Sequence, residues 1–96
     1  MSDRVVVTGT GLITPVGLDT QSTWDSLLAG RSGVDNISLF DAEGYTTRIA
    51  AEVIDFDGDA LLGRKEAKRL DRFSQFACAA TIEALEDADI DMATED

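Results

Sequence analysis

The sequence predicts an α/β protein, and three observations lead to this fold class. Residues 4–8 include three consecutive valines, a pattern typical of a strand that is covered on both faces. Residues 65–89 carry apolar side chains on two sides of a predicted helix, which predicts burial on two sides. Only about two strands and two helices are available to cover both, so we expect a piece of a larger fold.

The predicted first strand ends in a segment rich in helix and strand breakers, which holds Gly9, Gly11, Pro15 and Gly17. A first helix is expected over about residues 21–29. Candidate N-caps precede or begin it, and one face is apolar, with Gly30 suited to the C′ position. The N-cap candidates are Asp19, Thr20 and Ser22, and the apolar face consists of Trp24, Leu27 and Leu28.

The sequence of the middle of the chain indicates less regular structure. Residues 30–46 are expected to form a loop anchored by scattered apolar side chains. Residues 47–54 alternate like a short edge-type strand, residues 55–59 are rich in turn formers, and a short helical turn is expected over 60–63. The acidic residues 90–96 are expected to fray.

The last element is a long helix, predicted over about residues 65–89. Its alanine-rich face predicts a close approach to a partner element. That face holds Leu70, Phe73, Ala77, Ala80, Ala84 and Ala88, and a second stripe holds Cys78, Ile82 and Leu85.

Composition limits the chemistry. There is one cysteine, Cys78, and no histidine, which excludes a disulfide framework, an ordinary Cys/His zinc site and a catalytic triad built from this chain alone. Asp55, Asp57 and Asp59 lack the spacing of a complete calcium loop. We therefore predict no catalytic, cofactor-binding or metal-binding residue here, and interpret Cys78 as a packing residue.

The charge distribution is uneven. The formal net charge is −11, which disfavours nonspecific nucleic-acid binding. No apolar run is long enough to span a membrane or form a signal-peptide core, so a cytoplasmic protein is expected. Residues 49–96 hold thirteen acids and five bases, giving −8, yet all five bases lie within residues 64–72: Arg64, Lys65, Lys68, Arg69 and Arg72.

This basic island has two interpretations. It is either a solvated helix start with intrahelical pairs, such as Glu66 with Arg69 or Lys68 with Asp71, or a docking surface for an acidic partner. Bases near a helix N-terminus oppose the macrodipole, which favours the second interpretation.

The segment after the first strand resembles a dinucleotide fingerprint at first sight. Gly9 and Gly11 fit the spacing G-x-G-x-x-G, but Thr14 occupies the third position and Pro15 delays the helix. A phosphate would then lose the helix N-terminus that should bind it. A tight turn after a buried strand is the alternative, and we favour it.

Four segments together are similar to the β-ketoacyl-carrier-protein synthases, the condensing enzymes of fatty-acid synthesis, and most similar to the type II elongation enzymes. They lie in the family's order over nearly all of residues 1–96. The segments are Thr8–Gly11 with Thr14–Gly17, Ser22–Gly33, Phe40–Asp41 with Tyr45, and Arg64–Phe73.

This resemblance implies that residues 1–96 are an incomplete N-terminal segment of a thiolase-like fold. It implies a homodimeric acyltransferase that condenses an acyl thioester with malonyl-carrier protein. The family's catalytic cysteine, two histidines and lysine cannot be matched here, so the 96 residues alone are expected to be inactive. The resemblance also implies that Lys65, Lys68 and Arg69 dock acyl carrier protein.

Two rival hypotheses remain. One is a small stand-alone module that binds an acidic partner through residues 64–72 and would need a closed core of its own. The other is a related polyketide synthase or a chain-length factor that lacks the nucleophile.

Overall fold

The computed structural model describes residues 3–95 and shows a mixed α/β architecture, as predicted. Two short strands form an antiparallel sheet in which Val34 lies opposite Ala51 and Asn36 opposite Ile49. The elements in chain order are α1 (Thr20–Leu28), β1 (Val34–Asn36), β2 (Ile49–Ala51), α2 (Gly58–Leu62), α3 (Arg64–Ala67) and α4 (Arg72–Asp87).

The strand predicted over residues 4–8 is not formed among residues 3–95. Val5 and Val7 are 94% and 84% exposed, and no described backbone pairs with this stretch. A strand exists only through hydrogen bonds to a neighbouring strand. The apolar pattern is therefore present without the partners that would convert it into a sheet strand.

Helix α1 begins and ends almost where the sequence predicts. Asp19 is the N-cap, and its carboxylate accepts a hydrogen bond of 2.7 Å from the N–H of Ser22. The hydroxyl of Ser22 in turn accepts from the N–H of Asp19, which completes a capping box. Gly30 follows the C-cap with φ of 72°, the left-handed conformation expected at C′.

The buried side of α1 differs from the sequence prediction. Thr23 and Ser26 are the buried residues, whereas Trp24 and Leu28 are 56% and 68% exposed. The hydroxyl of Ser26 donates to the carbonyl of Val16 at 2.7 Å. Within residues 3–95 the helix therefore packs through its small polar face, and its apolar face is uncovered.

Strand β2 is shorter than predicted, and strand β1 was not predicted. The strand predicted over 47–54 is reduced to Ile49–Ala51, since its only described partner is three residues long. That partner, Val34–Asn36, lies in the segment predicted as a loop. A strand of three residues with two polar side chains carries no detectable alternation, which explains the missed strand.

The prediction of one long helix over 65–89 is wrong at its start. Residues 64–67 form the separate single turn α3, and α4 begins only at Arg72. Asp71, the N-cap of α4, is extended, with φ of −64° and ψ of 159°. The spacing of apolar residues in the sequence continues across this break, so the pattern does not reveal it. The predicted short turn over 60–63 is α2, which begins at Gly58.

The described residues do not close around a hydrophobic core. The buried apolar residues among them are Ala42, Ala67 and Ala79, and no large side chain is fully buried. The radius of gyration is 16.8 Å, whereas a compact domain of this length has about 12 Å. Helix α4, predicted to be buried on two sides, is buried here only at Ala79. None of the helices among residues 3–95 has the length and apolarity needed to cross a membrane.

Candidate functional site

The glycine-rich segment lies directly against α4. A Cβ atom on Gly11 would overlap the backbone carbonyl of Ala80, and one on Gly9 would overlap the backbone of Ala84 and Ala88. The close approach predicted from the alanine-rich face is therefore confirmed, and the partner is this glycine segment. Small side chains on one element and none on the other allow the two backbones to touch.

Two carboxylates on α4 hold the same segment through its backbone. Glu83 accepts hydrogen bonds from the N–H groups of Leu12 at 2.9 Å and of Thr20 at 2.9 Å. Asp87 accepts from the N–H of Thr10 at 3.0 Å. Because Thr20 opens α1, Glu83 also places negative charge at the positive end of that helix.

This arrangement explains why the glycine segment is not a phosphate cradle. A dinucleotide site needs free backbone N–H groups and an accessible helix N-terminus. Here the N–H groups of Thr10, Leu12 and Thr20 donate to protein carboxylates. A bound phosphate would also face the negative charges of Glu83 and Asp87.

The turn that follows is the tight turn favoured by the sequence. Thr14 and Gly17 exchange backbone hydrogen bonds of 2.8 and 3.3 Å, with Pro15 at the second turn position, where its fixed φ is favourable. The hydroxyl of Thr14 lies 3.0 Å from that of Thr23. The segment from Gly9 to Gly17 is thus a structural connection between α1 and α4.

The sequence predicted that the basic island lies at the start of one long helix. In the structure it is divided between two helices and the bend that joins them. Arg64 and Lys65 lie on α3, while Lys68 is its C-cap and Arg69 follows in the turn before α4. All four side chains belong to exposed residues. The candidate docking cluster, defined as Lys65, Lys68 and Arg69, therefore occupies a single turn of helix and the bend that follows.

The helix dipole acts on these bases differently from what one long helix would imply. Lys68 and Arg69 lie at the C-terminal end of α3, where positive charge is favourable, and not at the start of a long helix. A four-residue helix has only a small dipole, so the placement of these bases gives little information either way. Their exposure and grouping in a chain of net charge −11 remain unusual.

Most bases of the island have no acidic partner among residues 3–95. Arg69 lies 4.0 Å from Glu66, one of the predicted pairs. The other predicted pair, Lys68 with Asp71, does not form among the described residues. A single exposed pair at this distance contributes little to stability. Lys65 and Lys68 thus carry no ion-pair partner within residues 3–95.

Arg72 differs from the rest of the island. Its guanidinium donates to the carbonyl of Val53 at 2.7 Å and lies 5.0 Å from the ring centre of Phe76. The ring of Phe76 packs edge-on against Phe56. Arg72 therefore fastens the start of α4 to the segment after β2, a structural role that the other bases of the island do not share.

The structure places Cys78 in the middle of α4, half-buried beside an apolar groove. The groove has a volume of about 400 Å³ and is lined by Leu62, Ala77, Cys78, Thr81 and Ile82. A catalytic thiol needs an electropositive surrounding or a nearby base, and the described residues that line this groove include neither a basic side chain nor a general base. A packing role agrees with this position.

The acidic turn before α2 serves the fold. Asp57 is the N-cap of α2, and its carboxylate accepts from the N–H of Ala60 at 3.1 Å. Asp55 adopts a left-handed backbone with φ of 64°. No three metal-ligating side chains converge anywhere in residues 3–95.

Sequence reasoning missed several side chains that organise the molecule. Besides Glu83 and Asp87, the carboxylate of Glu52 holds the loop after β1, accepting from the hydroxyl of Ser38 at 2.8 Å and from two backbone N–H groups. The Ser38 hydroxyl is the main reason why the pKa of Glu52 is lowered. Carboxylates spaced i, i+4 beside an alanine-rich face were the available signal for Glu83 and Asp87.

The class of protein follows from comparing this architecture with solved structures. It matches a solved structure, the ishigamide ketosynthase/chain length factor, with a TM-score of 0.81 and 34% sequence identity. The match covers 92% of this chain and 22% of that one. The described residues thus form part of a thiolase-like fold.

Family comparison makes the assignment specific. Residues 2–96 match the family described as "Beta-ketoacyl synthase, N-terminal domain". The chain therefore belongs to the β-ketoacyl synthase family, and the resemblance inferred from its motifs is confirmed.

Individual relatives agree. The chain is 45% identical over 92 residues to the 3-oxoacyl-[acyl-carrier-protein] synthase 2 of Vibrio harveyi, covering 96% of this chain and 22% of the relative. It is 51% identical over 85 residues to the enzyme of the same name from Synechocystis sp., covering 88% and 20%. The chain spans about a fifth of the length of the curated relatives that it matches.

Proposed function

We propose that these residues are the N-terminal part of a β-ketoacyl-carrier-protein synthase of fatty-acid elongation. The intact enzyme joins an acyl thioester to a malonyl group on acyl carrier protein, with loss of carbon dioxide. Two relatives that are named 3-oxoacyl-[acyl-carrier-protein] synthase 2 support this assignment. A homodimer in the cytoplasm stays a prediction from the resemblance.

Within this enzyme, the chain supplies scaffold and docking rather than chemistry. It contains no histidine, and its one cysteine lies in mid-helix. We therefore assign no catalytic residue to it and expect no condensation by the 96 residues alone. Product formation by the purified 96-residue chain above a buffer control would contradict this assignment.

The docking role belongs to Lys65, Lys68 and Arg69. The observation that carries it is their joint exposure at α3 and the following bend, where Arg69 alone has an ion-pair partner among the described residues, Glu66 at 4.0 Å. In a chain of net charge −11, such a cluster directs an acidic protein to one place on the surface. Acyl carrier protein is the proposed occupant, since the relatives' names identify it as their substrate carrier.

Charge reversal in the intact synthase tests the docking role. Lys65→Glu with Arg69→Glu should weaken carrier-protein binding on the order of tenfold or more, because two attractions become repulsions. The salt dependence of the dissociation constant should flatten, since fewer screened attractions remain.

The matched control reverses two bases that lie away from the cluster. Arg31→Glu with Arg48→Glu changes the net charge by the same amount, but these residues follow α1 and precede β2. Binding should then change much less. Equal weakening by both double variants would attribute the effect to net charge, and unchanged affinity of the first at low salt would remove the docking role.

The hypothesis of a stand-alone module receives no support from the packing. Such a module needs a closed core, but no large side chain is fully buried among residues 3–95. We expect the isolated 96-residue chain to lack a cooperative thermal transition. A sharp, reversible transition would favour the stand-alone module.

A chain-length factor or polyketide synthase is the second candidate function. The solved structure with a TM-score of 0.81 is named a ketosynthase/chain length factor, which supports this candidate. Condensation of malonyl-carrier protein by the intact protein alone separates an elongation synthase from a chain-length factor that lacks a nucleophile.

A further inference from the structure

We propose that Gln75 is a positioning residue that holds the docking cluster in its binding-competent geometry, an inference that rests on the proposed docking of acyl carrier protein. Gln75 lies in the first turn of α4, four residues after its N-cap. Its side chain points back to the bend that carries two of the three docking bases.

The contacts of Gln75 enclose that bend on both sides. Its amide nitrogen donates to the carbonyl of Ala67 at 3.0 Å and to the carbonyl of Leu70 at 3.2 Å. Lys68 and Arg69 are the two residues between these carbonyls. One amide group thus fixes the backbone immediately before and immediately after the pair of bases.

The amide oxygen of Gln75 lies on the side away from the bend, against Gly58. The Cα of Gly58, a buried residue at the start of α2, packs so closely that a Cβ there would overlap this oxygen. A Cβ on Gly58 would also lie 2.9 Å from the amide carbon of Gln75. The side chain of Gln75 is therefore held between α2 and the bend, and half-buried.

Among residues 3–95, Gln75 is the side chain that hydrogen-bonds to the carbonyls of Ala67 and Leu70. The three bases are exposed, and within residues 3–95 the one ion pair that they make is the 4.0 Å contact of Arg69 with Glu66. The backbone N–H groups of this stretch make three short-range hydrogen bonds, from Lys68 to Arg64, from Arg69 to Glu66 and from Leu70 to Ala67. Preorganised charges bind a partner more tightly than mobile ones because less ordering is needed on binding.

Steady-state kinetics of the intact synthase test this role. Gln75→Met keeps the length of the side chain but removes both N–H donors. The KM for malonyl-carrier protein should rise about fivefold, as expected for a modest loss of preorganisation. The KM for an acyl N-acetylcysteamine thioester, which has no protein surface, should stay the same, and so should kcat.

Two signatures separate positioning from charge and from general destabilisation. All three bases remain in Gln75→Met, so the salt dependence of KM should persist, unlike in Lys65→Glu with Arg69→Glu. Adding Gln75→Met to that double variant should have little further effect, because there is no longer a productive cluster to position.

Gly58→Ala provides an independent route to the same state. The new methyl group should displace the Gln75 amide without removing it, and should reproduce the selective rise in KM for the carrier-bound substrate. This variant also serves if Gln75→Met does not fold. The matched control is Gln21→Met, which removes an exposed glutamine amide that bonds Asp25 on α1 at 2.9 Å, and should leave every parameter unchanged.

Several results would overturn the positioning role. One is an unchanged KM for malonyl-carrier protein in both Gln75→Met and Gly58→Ala. Another is an equal rise for the carrier-bound and the small thioester, which would indicate a general structural role. If the charge reversals have no effect either, the docking surface itself is refuted. If they weaken binding while the Gln75 and Gly58 variants do not, the docking surface stands and only the role of Gln75 falls.

Discussion

The carboxylate of Glu83 accepts a hydrogen bond of 2.9 Å from the backbone N–H of Thr20, which lies 63 residues earlier in the chain. The same carboxylate accepts from Leu12. One side chain on α4 thereby fastens both the glycine-rich segment and the first residue of α1.

Removing this carboxylate should loosen both elements. In Glu83→Leu two backbone donors lose a charged acceptor, which should cost about 2 kcal/mol of unfolding free energy because the site is only partly buried. Hydrogen exchange at the amides of Leu12 and Thr20 in the intact synthase would report the loss locally. Glu86→Leu is the matched control on the exposed side of α4, and equal exchange in the two variants would contradict the role of Glu83.

Gly11 should tolerate no side chain. In Gly11→Ala the methyl group meets the backbone carbonyl of Ala80, so we expect a destabilisation of about 2 to 3 kcal/mol, measured as a lower denaturation midpoint. Adding Ala80→Gly should not rescue it, since the obstacle is a carbonyl and not a side chain. Gly44→Ala is the control, as that site is open and only its φ of 89° opposes alanine, which costs about 1 kcal/mol. Full rescue by Ala80→Gly would refute the proposed contact.

The cap of α1 should titrate in acid. Hydrogen bonds from the side chain and backbone of Ser22 lower the pKa of Asp19 below its ordinary value of 3.8. A lowered folded-state pKa means that the stabilisation is complete above pH 3.8 and is lost as pH falls through the folded value. Asp19→Ala should cost about 1 kcal/mol near neutral pH.

Comparison with Asp19→Asn isolates the charge. Asparagine keeps an acceptor for the N–H of Ser22 but does not titrate, so the advantage of the natural residue over asparagine should shrink below pH 3.8. Urea midpoints at pH 6 and pH 3 provide the measurement. A difference that is constant over this range would show that the ionised carboxylate contributes nothing.

Cys78 should be dispensable for catalysis. Cys78→Ala in the intact synthase should retain turnover within about twofold, because the thiol faces an apolar groove and no base. A loss of several orders of magnitude in a protein with unchanged thermal stability would assign chemistry to Cys78.

Local signals in the sequence predicted local structure well. Asp19, Ser22 and Gly30 fixed the ends of α1, and the alanine-rich face of α4 predicted its close approach to another backbone. The break at Asp71 was missed because the apolar spacing continues across it. The three-residue strand β1 was missed because it has no side-chain period of its own.

The candidate site was predicted only in part. The charge pattern showed the basic island of residues 64–72, since charge clusters are visible in one dimension, and the family resemblance selected Lys65, Lys68 and Arg69 within it. It could not identify Gln75 or Glu83, whose partners are backbone groups brought close by folding. The valines at 5–7 predicted a covered strand, but a covering must come from other strands, and the described residues offer none.

The contact between Glu83 and Leu12 also has a consequence for synthesis. The ribosome makes the glycine segment 71 residues before the carboxylate that fastens it. At roughly 5–20 residues per second, this interval is about 4 to 14 s. During this interval the α4 carboxylate that holds the segment adjoining the valines at 5–7 has not yet been made.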